Sequence, residues 1–160
     1  ILVFTGLAGS GKSTAVEYLA SQGLPKIALD TTDQLRDVDS LLSQVHHLIE
    51  AGQHLIVIDG ISTWDHYRSL RRAFPDTVHV VALLTTKHVR HHRLSARVHN
   101  PMTNQDAYQL DLKELELMNY AGPIADADEF ILNDAPLNIL KLQLKQRLPF
   151  WRSLESKPRR

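Results

Sequence analysis

Apolar residues along this chain follow two rhythms that alternate from end to end. Short, nearly unbroken runs have the length and β-branched content of strands buried on both faces: Ile1-Leu2-Val3-Phe4-Thr5, Lys26-Ile27-Ala28-Leu29-Asp30, His54-Leu55-Ile56-Val57-Ile58-Asp59, Val78 to Leu84, and Glu129-Phe130-Ile131-Leu132. Between them the apolar positions space out to a helical period. Leu35, Val38, Leu41, Leu42, Val45, Leu48 and Ile49 mark one such helix, which Gly52 stops. Ser62 or Thr63 caps another that runs to Phe74 and ends at Pro75. Further helices are expected from Thr86 to Val98, from Gln105 to Tyr120, and from Leu137 to Leu148, with a break at Gly122-Pro123. Strand and helix in regular alternation predict a parallel sheet covered on both faces, a three-layer α/β/α domain with five strands. Ligands of such sheets bind beyond the carboxyl ends of the strands. Those ends carry Gly6 to Ser13, Asp30, Asp59, Thr85 and Asn133.

The first of these ends is the most specific. Gly6-Leu7-Ala8-Gly9-Ser10-Gly11-Lys12-Ser13 fits the phosphate-binding loop pattern G-x-x-x-x-G-K-S, and it sits between a strand and an amphipathic helix as that motif requires. Glycines allow the backbone to turn successive N–H groups toward phosphate oxygens. Gly6, Ala8, Gly9, Ser10, Gly11, Lys12, Ser13 and Thr14 are therefore expected to cradle a nucleoside triphosphate, with Lys12 on its β- and γ-phosphates. The Ser13 hydroxyl and the Asp59 carboxylate, which follows four apolar residues, are the expected ligands of Mg²⁺.

Other residues extend the site. Asp30 ends the neighbouring strand and is a candidate general base toward an acceptor; a helix cap is the alternative. Arg90, Arg93 and Arg97 are three and four residues apart, so one helix face presents three guanidiniums to a transferring phosphoryl group. The polar stretch after them reads as a lid of about residues 86–120. Asn133-Asp134-Ala135-Pro136 follows the last strand and reads as an adenine-side loop in which Asn133 and Pro136 contact the base; the Asn-Lys-x-Asp segment of guanine readers is absent. His88 and His92 could meet on a helix, but no companion ligands are evident and the arginines oppose a cation. Trp64, Tyr67, Arg68, Arg71 and Arg72 read as helix-flank packing, with an acceptor-side surface as the alternative.

Composition narrows the classes. Of 160 residues, 18 are basic and 18 acidic, a balance that argues against a general nucleic-acid or membrane-surface binder. No apolar stretch approaches the ~18 residues of a membrane span. The chain has no cysteine, in keeping with a cytoplasmic protein and excluding disulfides.

Taken together, Phe4 through Thr14, Val57-Ile58-Asp59-Gly60-Ile61, Arg90-x-x-Arg93-Leu94-x-x-Arg97, Asp111-x-x-Glu114-Leu115, Ile124-Ala125-x-Ala127-Asp128 and Ile131-x-Asn133-Asp134 resemble the small P-loop nucleoside and nucleotide kinases, in particular a dephospho-coenzyme A kinase-like branch. The resemblance implies one P-loop kinase-like domain over residues 1–148 with a helical arginine lid, a C-terminal tail from 149 to 160, and transfer of phosphate from Mg·ATP to a small nucleotide-like acceptor. Two rivals are an ATP-binding switch with weak or no kinase activity and a kinase of nucleic-acid ends. The sequence departs from the family at Ser62 and Leu110, where arginine is expected, and only 28 residues separate Asp30 from Asp59.

Overall fold

The computed structural model describes residues 1–28, 38–61 and 63–154. Its strands are β1 (Leu2–Thr5), β2 (Lys26–Ala28), β3 (Val57–Asp59), β4 (His79–Leu84) and β5 (Glu129–Leu132). They form one parallel sheet in the order β2-β3-β1-β4-β5, with Phe4 opposite both Asp59 and Val81. Alternation along β1 explains the two cores. Leu2 and Phe4 face α1 (Lys12–Ser21) and α7 (Leu137–Ser153), where Val16, Leu19, Leu140, Leu144 and Trp151 close over them. Val3 faces the other way, toward Leu41 and Val45 of α2 (Val38–Glu50) and Tyr67 and Leu70 of α3 (Trp64–Ala73). Three layers result, and the strand order reverses beside β1, which places the carboxyl end of β1 at the crevice where such folds bind ligands.

The remaining elements build the region above that crevice: α4 (Lys87–Ser95), α5 (Asn104–Leu112), a π-helical segment Lys113–Leu117, and α6 (Ala121–Ala125). Thr103 and Asp106 form a reciprocal capping box that starts α5. Strand β3 is shorter than its apolar run suggests; Leu55 and Ile56 are buried ahead of it, and Ile56 O accepts from Leu2 N–H at 2.8 Å. The single helix expected from Gln105 to Tyr120 is two pieces, α5 and the π-helical segment, and ends at Leu117. At Gly122-Pro123, where a break was expected, α6 forms instead: Pro123 falls in its first turn, where no N–H donor is needed. Gly122 there permits close approach of Trp64, since a Cβ would lie 2.5 Å from Cε3 of its ring.

Helix α7 also runs on through Pro149 to Ser153 rather than stopping at Leu148. Trp151 holds it. That side chain is fully buried, meets Phe4 edge-on at 6.0 Å between ring centroids, and donates Nε1–H to Glu129 at 2.9 Å. Its burial offsets the hydrogen bond that Pro149 removes.

Candidate nucleotide-binding site

Strand β1 delivers Gly6 to Gly11 to the carboxyl edge of the sheet, and α1 begins at Lys12 with Gly11 as its N-cap at φ 101°. Only glycine adopts that geometry at low cost, and space enforces it further: a Cβ on Gly11 would lie 2.5 Å from Asn133 Nδ2. The loop is fastened from β5, where buried Asn133 donates its amide to Ser10 O at 2.8 Å. Thr85 at the end of β4 donates to the same carbonyl at 3.2 Å. Asn133 thus braces the loop beside the expected base site.

Lys12 Nζ donates to two carbonyls of its own loop, Gly6 O at 2.6 Å and Leu7 O at 3.2 Å. Burial pushes this ammonium below the ordinary lysine value; Glu114 and Asp59 work against that, and Arg90 and Arg97 reinforce it. A charge so desolvated among mixed neighbours is poised for an anion.

One cavity of about 620 Å³ brings together Ala8, Gly9, Gly11, Lys12, Ser13, Thr14, Asp59, Arg93, Arg97 and Glu114. An adjoining slot of about 300 Å³ shares Gly11, Thr14 and Arg93 with it, and is otherwise lined by Asn133, Ala135, Pro136, Leu137 and Leu140. Arg93 stands between the two. Its Nη2 donates to Ala135 O at 3.2 Å, while its buried Nη1 has no hydrogen-bond partner among the described residues. A buried guanidinium N–H without an acceptor costs free energy unless a ligand supplies one.

The three arginines do not share one open face. Arg90 is 4% exposed and absent from the cavity wall. Its guanidinium grips Asp111 through two bonds, Nη1 to Oδ1 at 2.6 Å and Nη2 to Oδ2 at 2.9 Å, and Nη1 also reaches Ala8 O at 3.0 Å. His91 Nε2 lies 2.8 Å from Asp111 Oδ2. Arg90, expected as part of a phosphate clamp, here braces α4, α5 and the loop, its guanidinium held by a buried carboxylate one helix away. Arg93 and Arg97 stay at the cavity.

Sequence reasoning assigned no role to Glu114. The π-helical segment carries it to 5% exposure, where Oε2 accepts from Ala8 N–H at 2.8 Å. The available signal was the spacing Asp111-x-x-Glu114, one helical turn that sets both carboxylates on the same side. Trp64 and Tyr67 stack with centroids 5.1 Å apart, and Tyr67 OH bonds Asp126. Arg71 ties Val78 O at 2.9 Å and Asp128 at 2.6 Å, at the amino end of the strands, so these residues pack α3 to the sheet base. His88 and His92 are exposed on α4. Asp30 and Ser62 lie outside the described residues.

The residues fit ATP and Mg²⁺. Arg93 Nη1, without a partner among the described residues, stands where the two cavities join, and the apolar slot suits a purine. Ser13 and Asp59 present hard oxygen donors to one cavity, as Mg²⁺ requires. No helix among the described residues is long and apolar enough to cross a membrane.

Loop, sheet order and cavity define the class: a P-loop kinase-type α/β fold. Two solved structures share it. A sugar kinase from Janibacter matches with a TM-score of 0.63 at 22% identity, covering 96% of this chain and 94% of that one. A shikimate kinase from Bacteroides thetaiotaomicron matches at 0.60 and 18% identity, covering 92% and 97%. At these identities the likeness establishes the fold. No family model matches the chain. A "UPF0200 protein" from Thermococcus gammatolerans is 32% identical over an alignment of 165 positions covering 84% of this chain and 86% of the relative. The chain belongs to the UPF0200 family.

Proposed function

We propose that the protein is an ATP-dependent phosphotransferase that moves the γ-phosphate of Mg·ATP to a small acceptor of the dephospho-coenzyme A or nucleoside monophosphate type. The observation that carries this reading is the joined pair of cavities, in which a phosphate cradle and an apolar slot meet at Arg93. Adenine would lie between Pro136, Leu137 and Leu140, and the triphosphate along Gly9 to Thr14. Lys12 would leave its loop carbonyls for the β- and γ-oxygens, exchanging neutral acceptors for charged ones. Ser13 and Asp59 would hold Mg²⁺, which when bound neutralises charge on the phosphates. Arg93 and Arg97 would meet the charge that develops on the transferring group and on the leaving ADP. The acceptor then occupies the far side of the 620 Å³ cavity, against Met102, Leu110, Met118 and Tyr120.

ADP production from Mg·ATP tests this reading, measured across dephospho-coenzyme A, nucleoside monophosphates, nucleosides and simple polyols with Lys12→Ala as the blank. Stimulation by one acceptor supports it. A flat panel with ATP still bound would replace it with a nucleotide-binding switch.

A further inference from the structure

Residues Asp111 to Leu117 bury the wrong side chains for a stability element. Asp111 and Glu114 are each 5% exposed, while Leu115 is 42% and Leu117 79% exposed. Inverted burial of this kind is the mark of a functional segment, because a core would be cheaper to build with the leucines inside. The helical spacing of Ala107, Asp111 and Glu114 puts them on one buried side, and a π-helical turn, a feature that concentrates at functional sites, runs from Lys113 to Leu117. Asp111 is consumed by Arg90 and His91. Glu114 is only half used. Its Oε2 takes the Ala8 N–H, whereas Oε1 has no hydrogen-bond partner among the described residues, and the side chain lines the cavity that holds Lys12, Ser13 and Asp59.

Building on the kinase reading, we propose that Glu114 is the catalytic base that accepts the proton of an acceptor hydroxyl, so that the acceptor of this site is an alcohol rather than a phosphate. The step balances as follows. A lone pair of the acceptor oxygen forms the new bond to the γ-phosphorus. The bond from that phosphorus to the β–γ bridging oxygen breaks, its electron pair leaving with ADP, and the hydroxyl proton passes to Glu114 Oε1. A phosphate monoester, with its second pKa near ~6, already offers an unprotonated oxygen at neutral pH and needs no such base. An alcohol does.

The environment suits the role. Burial pushes the Glu114 carboxyl above the ordinary glutamate value, Asp111 adds to that, and the Ala8 N–H, Lys12 and Arg90 restrain it. Asp59, Arg93, Arg97 and Lys113 line the same cavity and complete the set of charged groups that face it. The Ala8 N–H also fixes the carboxylate against the phosphate loop itself.

The test compares wild type, Glu114→Gln and Asp30→Asn. Hydroxyl acceptors are dephospho-coenzyme A, nucleosides, gluconate and shikimate; phosphate acceptors are AMP and CMP. The Gln carbonyl still accepts from Ala8 N–H, and an ATP-dependent rise in melting temperature shows that each variant is folded and loaded. Glu114→Gln is expected to lower kcat with the hydroxyl acceptor by about 10²–10⁴-fold while ATP affinity changes little. Wild-type kcat should also fall as pH drops through a point above the ordinary glutamate range of about 4.3, and that acid limb should be missing in Glu114→Gln. The Mg·ATP titration is common to both proteins, and the Lys12 ammonium, which loses the support of Glu114 in Glu114→Gln, is lost on the alkaline side, so the acid limb isolates Glu114. An unchanged kcat, an acid limb that survives in Glu114→Gln but vanishes in Asp30→Asn, or transfer confined to AMP or CMP overturns the proposal and leaves the kinase reading standing. A wild-type panel flat to every acceptor overturns both.

Discussion

Replacing Arg90 by methionine separates its bracing function from the phosphate contact that its spacing suggests. The guanidinium makes two bonds to Asp111 and one to Ala8 O. The Arg90 and Asp111 side chains are only 5% and 7% exposed. Solvent screening is therefore slight, and the loss falls in the range for breaking one side of a buried pair, about 3–5 kcal/mol. At about 2–4 °C per kcal/mol for a domain of this size, the melting temperature should drop by roughly 6–20 °C. Urea unfolding followed by the fluorescence of buried Trp151 measures it. Arg90→Met with Asp111→Leu should recover much of the loss, because no uncompensated carboxylate remains. The pH dependence has a definite sign. Burial alone would raise the Asp111 carboxyl, but bonds and charge from Arg90 and His91 outweigh it and hold it below the ordinary value. Its contribution is thus complete above the unfolded aspartate value near 3.9 and is lost as pH falls through the lower folded value. Arg90→Met should flatten that acid limb of the stability curve. A variant with unchanged stability but no ADP production would refute the brace and return Arg90 to the phosphates.

Lys12→Ala should fold normally and reduce ADP production to the level without enzyme, because it removes the lysine of the phosphate loop from the cavity; circular dichroism and the coupled assay check both halves. Gly11→Ala should weaken ATP binding at least tenfold by calorimetry, since a left-handed non-glycine residue costs about 1–3 kcal/mol and its Cβ would strike Asn133. Adding Asn133→Ala to it should relieve the clash but leave the backbone strain and remove the amide bond to Ser10 O. Trp151→Ala should cost about 3–5 kcal/mol by urea titration, as the substitution hollows the core beneath α7 and strips Glu129 of a donor.

Much of this architecture is legible in the chain because its signals are local. Unbroken apolar runs locate all five strands, and the phosphate loop is recognisable since each residue type answers a local requirement of the anion. Errors begin where a distant group decides. Spacing places Arg90, Arg93 and Arg97 on one helix, but nothing in that helix reveals that Asp111 will claim the first of them. Pro149 looks like a terminator because local propensity says so. The burial of Trp151 two residues later overrides it. Asn133, expected beside the base, lines the apolar slot and also braces Ser10 O, a contact 123 residues away in sequence that no local pattern reveals.

Glu114 marks the deeper limit, since counting apolar periods looks for leucines to bury and passes over carboxylates. By polarity alone the apolar Leu115 and Leu117 would be the natural choices for burial. The observed register buries Asp111 and Glu114 instead, and both act on a single loop residue: Glu114 takes the N–H of Ala8, and Arg90, held by Asp111, takes its C=O. Ala8 is therefore gripped on both its polar groups by the segment that carries the lid arginines. Neither grip can be released by moving α4 and α5 without disturbing the loop that is to hold the triphosphate. Any movement of α4 and α5 is thereby coupled to the shape of the loop, so a substitution at Arg90 should change ATP affinity as well as stability, even though Arg90 lines neither cavity.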